Sequence, residues 1–551
     1  MNRELSKYVE AVTRSGLLAV IAAILFLSVI RFRIADVPLE RDEGEYAYSG
    51  QLILQGFPPY QLTYNMKFPG TYYAYAAIMA ILGQTAWGIH AGLAVVNAAT
   101  ILFLYFLAYR LLGDRMAAAI SAIAFGFLSV DRGILGVFGH ATHFVVLAAV
   151  TGLLVLLRAL NSRKASTFTA AGALLGLSVV MKQNGLFFLG MGIGIAFWSG
   201  FGKAHRNFRA GVRDSTLVTA GAAIPFASLC LVLFVQGVLG RFWFWTFQYA
   251  KEYVSLVSLW DGWWSFATTF RDITQANRWI WILAAAGFVL MWVVRWSSEI
   301  RIFLTALLFA SFVATCPGFY FRQHYFIMLL PALALFCGVA ILSIERLLAG
   351  VVSRKTAHAM GVVVFVVAIG SYTLHDSYYL FSMPSRQLSR SRYGSNPFVE
   401  APELSRYIQS HTDVGDRIAV LGSEPEIYFY ANRKSATGYI YTYELFEDQK
   451  YSRRMQDEMI EEITAVHPKY VVFVRVATSW LPRDRTEKIV TWSDAYLSEC
   501  YSLAGMADIV SPAITRWVWD MDAANYKPQS KSVLFLFKAK TDAPCAARTQ
   551  E

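Results

Sequence analysis

Charge is what this chain is short of: 16% of its 551 residues are Asp, Glu, Lys or Arg, 56% are apolar, and the mean hydropathy is +0.42. A soluble domain carries about 25% charge, so a single water-soluble globular fold is excluded. Cysteine is scarce as well, 5 in all, which excludes a disulfide framework, while 15% aromatic residues exclude a disordered or collagen-like chain. Metal-finger spacing, a phosphate-cradling Gly loop, a nucleophile elbow, short repeats and low-complexity tracts are all missing. What remains is a polytopic α-helical membrane protein, long enough to carry a further folded domain.

The net charge of +11 is not a nucleic-acid signal once it is divided by position. Residues 1–375 hold 28 basic and 15 acidic side chains, residues 376–551 hold 21 and 23, so the excess sits in the apolar part and reads as topology. Eleven apolar runs, near 16–34, 87–109, 116–130, 141–160, 167–181, 186–201, 214–239, 278–295, 301–316, 324–344 and 357–374, predict about 11 transmembrane helices. Short basic connectors (Arg110/Arg115, Arg158/Arg163/Lys164, Lys203/Arg206/Arg209/Arg213, Arg295/Arg301, Arg346/Arg354/Lys355) alternate with long, acid-bearing aromatic ones at 35–86 and 240–277. The positive-inside rule then puts the amino terminus in the cytoplasm, and both long loops and residues 376–551 outside. The first run has no small-residue cleavage site and is expected to be retained. Cys230, Cys316 and Cys337 fall in apolar runs as small hydrophobes, whereas Cys500 and Cys545 are outside and able to pair.

Five of the fifteen acids of the first part lie within ten residues: Asp36, Glu40, Asp42, Glu43 and Glu45. Capping accounts for some of them, with Asp42 as cap, Glu45 closing the box and Gly56 ending the helix. It does not need five, and helical spacing aligns Asp42, Glu45, Tyr46 and Ser49 on one side, which points to catalysis or metal binding at Asp42 with Glu43 beside it. Lys67, in Y-N-M-K-F-P-G-T-Y-Y, either snorkels to the interface or holds an anionic substrate group, and 71–83 is expected to lie along or partly enter the outer surface. On the same side come Arg132, the pair His140 and His143, Lys182 in M-K-Q-N-G, and Arg322, His324 and Tyr325 at the start of the tenth run. The two His, three apart, are candidate ligands for a divalent metal ion without a third ligand nearby. Together the cations suit a lipid phosphate whose tail follows the helix grooves, beside a carboxylate base.

These residues resemble the membrane glycosyltransferases of the GT-C fold. R-D-E-G-E-Y-A-Y is similar to the D-E-x-x-Y-A segment of their first external loop, in the branch of lipid A aminoarabinose transferases and rhizobial lipopolysaccharide sugar transferases, related to protein O-mannosyltransferases. M-K-F-P-G-T-Y-Y stands where that branch has K-P-P-x-x-Y-W, so Lys67 is the matching lysine. V-M-K-Q-N-G-L resembles M-x-K-G, F-R-Q-H-Y-F-I-M-L-L-P resembles H-Y-x-x-x-L-L-P, and L-G-S-E-P-E-I-Y-F-Y-A-N-R resembles the family's external domain. The similarity runs in order from residue 1 to roughly 440. One departure is G-H-A-T-H-F, where many relatives carry a second acid. The resemblance implies transfer of one sugar, with inversion, from a polyprenyl-phosphate donor to an acceptor hydroxyl of lipopolysaccharide or lipid A, another envelope glycan or a protein, at the periplasmic face of a bacterial inner membrane. Asp42 would take the acceptor proton, and Lys67, Lys182 and Arg322 the leaving phosphate.

Residues 376–551 read as a periplasmic α/β domain, with strands at 417–422, 470–475 and 533–538 and a charged helix over 443–466. It is expected to contact the acceptor or to cover the site as a structural lid, with Glu424, Glu426 and the G-Y-I-Y-T-Y stretch its most suggestive residues. Trp243, Trp245, Trp260, Trp263 and Trp264 serve as interfacial anchors or as stacking surfaces. Alternatives are a transporter or flippase of a lipid-linked sugar and a non-catalytic glycan-assembly subunit. Transporters tend to show repeats and mid-membrane charge, and the outer-side clustering here favours an enzyme.

Overall fold

A computed structural model describes residues 2–201, 207–481 and 488–540. All eleven apolar runs are helical, in Asn2–Arg33, Ala86–Leu112, Arg115–Leu128, Ala141–Ser162, Ala165–Met181, Leu186–Trp198, Phe208–Val235, Arg278–Val293, Ser298–Val313, Leu330–Leu348 and Arg354–His375. Six described helical stretches are long and apolar enough to cross a membrane, and seven if Leu259–Gln275 and Arg278–Val293, bent by 108°, form one span. The chain is therefore a multi-pass membrane protein, and helix length alone accounts for six or seven of the eleven expected crossings. Lys203 and Arg206 of one basic connector lie outside the described residues.

With apolar surface on every side, helices in lipid gain little from hydrophobicity and associate through close backbone approach. The sequence supplies this where Gly172 and Gly176 face Gly221: a Cβ at Gly172 would sit 2.0 Å from the Val218 carbonyl, one at Gly176 2.4 Å from that of Ala222, and one at Gly221 2.1 Å from that of Thr169. Helices Ala165–Met181 and Phe208–Val235 thus touch backbone to backbone.

Beyond the last long helix the Arg33 guanidinium donates to the carbonyls of Tyr379 (2.5 Å), Leu380 (3.0 Å) and Met383 (2.7 Å), fastening the first helix to the segment that leads to a sheet. The strands are β1 (Arg417–Leu421), β2 (Lys434–Ser435), β3 (Tyr470–Arg475), β4 (Tyr501–Ser511), β5 (Ile514–Trp519) and β6 (Val533–Ala539), in the order β2-β1-β3-β6-β4-β5. The β2-β1-β3 pairs are parallel and the rest antiparallel. The three expected strands are β1, β3 and β6, and the hairpin β4–β5 adds to them. The helix expected over 443–466 is a single turn, Tyr443–Phe446, followed by Ser452–Val466. Cys230, Cys316 and Cys337 are free thiols. Cys500 is disulfide-bonded, and its expected partner, Cys545, lies outside the described residues.

Gly172→Leu should lower the thermal unfolding midpoint in detergent, overpacking costing about 1–3 kcal/mol. Gly190→Leu is the matched control, because a Cβ there meets nothing within 4 Å, and its midpoint should stay put.

Candidate functional site

The acid-rich stretch opens the helix Arg41–Leu54, with a cap two residues earlier than expected. Glu40, not Asp42, is the cap: its carboxylate accepts the Glu43 N–H at 3.0 Å, and that of Glu43 accepts the Glu40 N–H at 3.2 Å. E-R-D-E and D-E-G-E are overlapping boxes, and the first prevails because Glu43 also bonds His90 Nε2 at 2.8 Å and accepts from the Gly139 N–H. His90 in turn binds the Ala35 carbonyl at 2.7 Å. Glu43, expected beside Asp42 in the chemistry, is fully buried with its oxygens engaged, and it ties the helix Arg41–Leu54 to two neighbours.

This register frees Asp42. Its side chain is 24% exposed, against 6% for Glu40 and 0% for Glu43 and Glu45, so it alone of the four reaches open space. Asp42 Oδ1 accepts from Lys67 Nζ at 2.7 Å and from the Tyr441 hydroxyl at 3.2 Å. Oδ2 faces His140 Nδ1 and His324 Nε2, each at 3.8 Å. The two imidazole rings stack at 3.9 Å between centroids, 12° from parallel, and neither ring nitrogen of His140 has a hydrogen-bond partner. Burial works to raise the Asp42 pKa, but Lys67, and after it His140 and His324, outweigh it and hold the carboxyl well below its usual range.

Lys67 differs from its expected role. It is ion-paired with Asp42 and, at 2.5 Å, with Glu45, and it lies 4.7 Å from the Tyr46 ring, so its charge is spent on carboxylates. Glu45 also accepts from the Tyr72 hydroxyl. Of the cations expected at the site, Lys182, 4.2 Å from the Tyr325 ring, and the exposed Arg322, 5.7 Å from the Tyr320 ring, have no carboxylate partner among the described residues. Burial, then the nearby Lys67 and Arg322, push Lys182 down to about 7 against the pull of Asp42. Arg132 is paired with Asp376 at 2.9 Å and takes no part in the Asp42 cluster.

The expected metal pair is revised in the same way. Asp42, His140 and His324 bring one ligand atom each within 4.8 Å of one another, and His143 is not in that group. His140 caps the helix Ala141–Ser162, which turns His143 into buried surroundings where its Nε2 has no partner. One carboxylate oxygen and two imidazoles suit a divalent ion such as zinc.

One contributor is new: His90, an imidazole early in an apolar run, carries only a weak signal in the sequence. Tyr441, of the G-Y-I-Y-T-Y stretch singled out above, reaches in from the sheet region and also donates to the Arg41 carbonyl at 2.9 Å. Arg41 itself donates to the Ser423 carbonyl (2.5 Å), Glu424 (2.9 Å) and Asn396 (3.0 Å). Gly44 permits this contact, since a Cβ there would lie 2.6 Å from the Glu426 nitrogen. Of the tryptophans, Trp245 is buried against Tyr64 and Tyr439, while Trp260, Trp263 and Trp264 are exposed along the helix Leu259–Gln275.

A sequence profile of the dolichyl-phosphate-mannose-protein mannosyltransferase family matches residues 67–237, from Lys67 through His140 and Lys182. No protein of curated function matches by sequence. Among solved structures, ArnT from Cupriavidus metallidurans bound to undecaprenyl phosphate is similar at 15% identity, over 84% of this chain and 93% of that one, with a TM-score of 0.57. The oligosaccharyltransferase of Archaeoglobus fulgidus, tethered with an acceptor peptide, is similar at 14% identity over 92% and 74%, TM-score 0.52. The mycobacterial arabinofuranosyltransferase AftD is similar at 15% identity over 97% and 40%, TM-score 0.51. At such identities the likeness is one of fold. The resemblance to the GT-C glycosyltransferases is borne out in architecture and, over 67–237, in sequence.

The two adjacent acids should separate on substitution. Glu43→Ala strands the Glu40 and Gly139 N–H groups and His90, and should lower the unfolding midpoint, each buried unpaired group costing about 1–3 kcal/mol. Asp42→Asn leaves Lys67 paired with Glu45 and should leave the midpoint almost unmoved.

Proposed function

We propose that this protein is an inverting glycosyltransferase that moves a single sugar from a polyprenyl-phosphate carrier to an acceptor hydroxyl at the periplasmic face of a bacterial inner membrane. The acceptor class is lipopolysaccharide or lipid A, another envelope glycan, or a protein. The observation that carries this reading is the setting of Asp42: partly open, ion-paired with Lys67, and in the field of Lys182 and Arg322, neither of which has a carboxylate partner among the described residues. A hydroxyl is a poor nucleophile, and a fixed carboxylate at hydrogen-bond distance takes its proton as the bond to the anomeric carbon forms. The departing lipid phosphate gains charge, which Lys182 and Arg322 are free to stabilise. Lys67 orients Asp42 and keeps it deprotonated. A single displacement needs no covalent intermediate, hence inversion. The undecaprenyl phosphate bound by the structurally similar ArnT supports a polyprenyl carrier. A divalent ion held by Asp42, His140 and His324 would polarise the acceptor oxygen; the unpartnered nitrogens of His140 fit such a ligand role.

Mass spectrometry of surface glycans from a deletion strain should reveal one missing residue mass. The wild-type gene should restore it, and Asp42→Asn should leave at most about one part in 10² of the restored product, the usual range for a lost general base. Full complementation by Asp42→Asn removes Asp42 from the mechanism.

Lys182 supplies a pH signature. Its pKa of about 7 in the ligand-free protein means the cation is present below that pH and lost above it. Affinity of the purified protein for undecaprenyl phosphate should therefore fall as pH rises from about 6 to 8. Lys182→Arg, charged throughout, should flatten the profile.

A further inference from the structure

A cavity of about 850 Å³ lies away from Asp42, between the helix Ser385–Tyr393, the residues around Glu400, and the turn and strand Pro512–Trp517. It is within the size range of small-molecule sites. Its wall holds a buried ion pair, Arg390 with Glu400, and Glu400 also accepts from the Thr515 hydroxyl. Arg390 and Glu400 are 8% and 1% exposed, yet Arg390 Nε and Glu400 Oε2 have no hydrogen-bond partner. Both atoms are closed to solvent, so the polar groups that meet a guest on this wall are the exposed Gln387 and Ser391, each offering a donor and an acceptor.

On the strand side Trp517, partly buried, lines the cavity and begins a ladder: its ring stacks on Trp519 (5.5 Å, 15°), which lies flat on Tyr407 (4.2 Å, 3°). The stack fixes the indole plane in advance, so binding against it costs little side-chain entropy. Charges around the cavity balance, Arg386 and Arg390 against Glu400 and Glu403, which disfavours a strongly anionic guest. An uncharged ligand with one apolar face and a rim of hydroxyls, each both donor and acceptor, is a sugar ring.

We propose that this cavity is a carbohydrate-binding subsite for an uncharged sugar unit of the glycan acceptor, remote from the reacting hydroxyl. The acceptor assignment rests on the transferase reading; the carbohydrate site does not. A physical link to the candidate active site exists: Arg390 donates to the Asn396 carbonyl at 2.9 Å, and the Asn396 side chain accepts from Arg41 at 3.0 Å, one residue before Asp42. Binding energy gained far from the reacting centre is available to orient the acceptor.

The test uses the full-length protein in detergent on a glycan array carrying neutral hexose and hexosamine oligosaccharides beside uronic-acid-containing ones. The expected result is binding to neutral glycans that Trp517→Ala and, independently, Gln387→Ala, both at residues lining the cavity, weaken at least tenfold. Unfolding midpoints equal to wild type establish that both cavity variants are folded. Binding to no glycan, preference for the acidic ones, or neutral-glycan binding unaffected by both folded variants overturns the subsite. Glycan binding in a protein whose deletion removes no glycan residue overturns the transferase reading and leaves the carbohydrate site standing.

Discussion

Four carboxylates at positions 40, 42, 43 and 45 cannot all stay ionised in a space largely closed to water unless each has a partner of its own. The structure solves this by dividing labour. Glu40 closes a helix start, and burial with the neighbouring Asp42 and Glu43 pushes its pKa well up. Glu43 is saturated by backbone N–H groups and His90. Glu45 and Asp42 share Lys67. Glu40 Oε1, which holds the cap, also lies 3.6 Å from His140, but of the four Asp42 alone faces both His140 and His324 and is partly open. The chemistry assigned to the site depends on this asymmetry. Were the cap at Asp42, that carboxylate would be tied to backbone and turned from the histidines.

The sheet region is part of the same constraint. Arg41 is flanked by Asp42, yet its guanidinium is held by Ser423, Glu424 and Asn396, and the Tyr441 hydroxyl bonds Asp42 itself. Ser423 is fixed in turn by Ser479 and Thr442. The start of the helix Arg41–Leu54 is therefore set from two sides, by the bundle through Glu43 and by the sheet region through Arg41. Whether the domain contacts the acceptor or covers the site, the two roles expected of it, these bonds also fix the start of this helix.

Much of this was legible because periodicity and hydropathy are local properties. Every apolar run is a helix, and strands β1, β3 and β6 fall where short apolar runs put them. Legibility failed where a local pattern had two solutions or where partners were distant in sequence. The overlapping capping boxes are degenerate on paper, and a contact to His90, dozens of residues away, decides between them. Sequence proximity pairs His140 with His143; in the fold its companion is His324, brought close by the packing of Ala141–Ser162 against the segment Gln323–Leu329. Arg132 looked like a free cation because its mate, Asp376, lies beyond the last apolar run. The hairpin β4–β5 hid behind a glycine, Gly505, and a buried acid, Asp508, which is satisfied by Tyr526, Gln529 and Ser530 rather than by solvent.

The His140 and His324 rings stack 3.9 Å apart beside Asp42, and neither ring nitrogen of His140 has a hydrogen-bond partner, so the ring edge facing the carboxylate is uncommitted. A neutral imidazole is the form that ligates a metal or accepts a proton, and an ionised carboxylate next to it is the form that does either as well. Lys67 keeps Asp42 ionised without approaching the histidines' side of it, so the cation that secures the carboxylate does not compete for the place where an acceptor hydroxyl or a divalent ion would sit. Lys182 and Arg322, free of carboxylates, complete the separation: one lysine is committed to the base, and the remaining positive charge stays available to a phosphate.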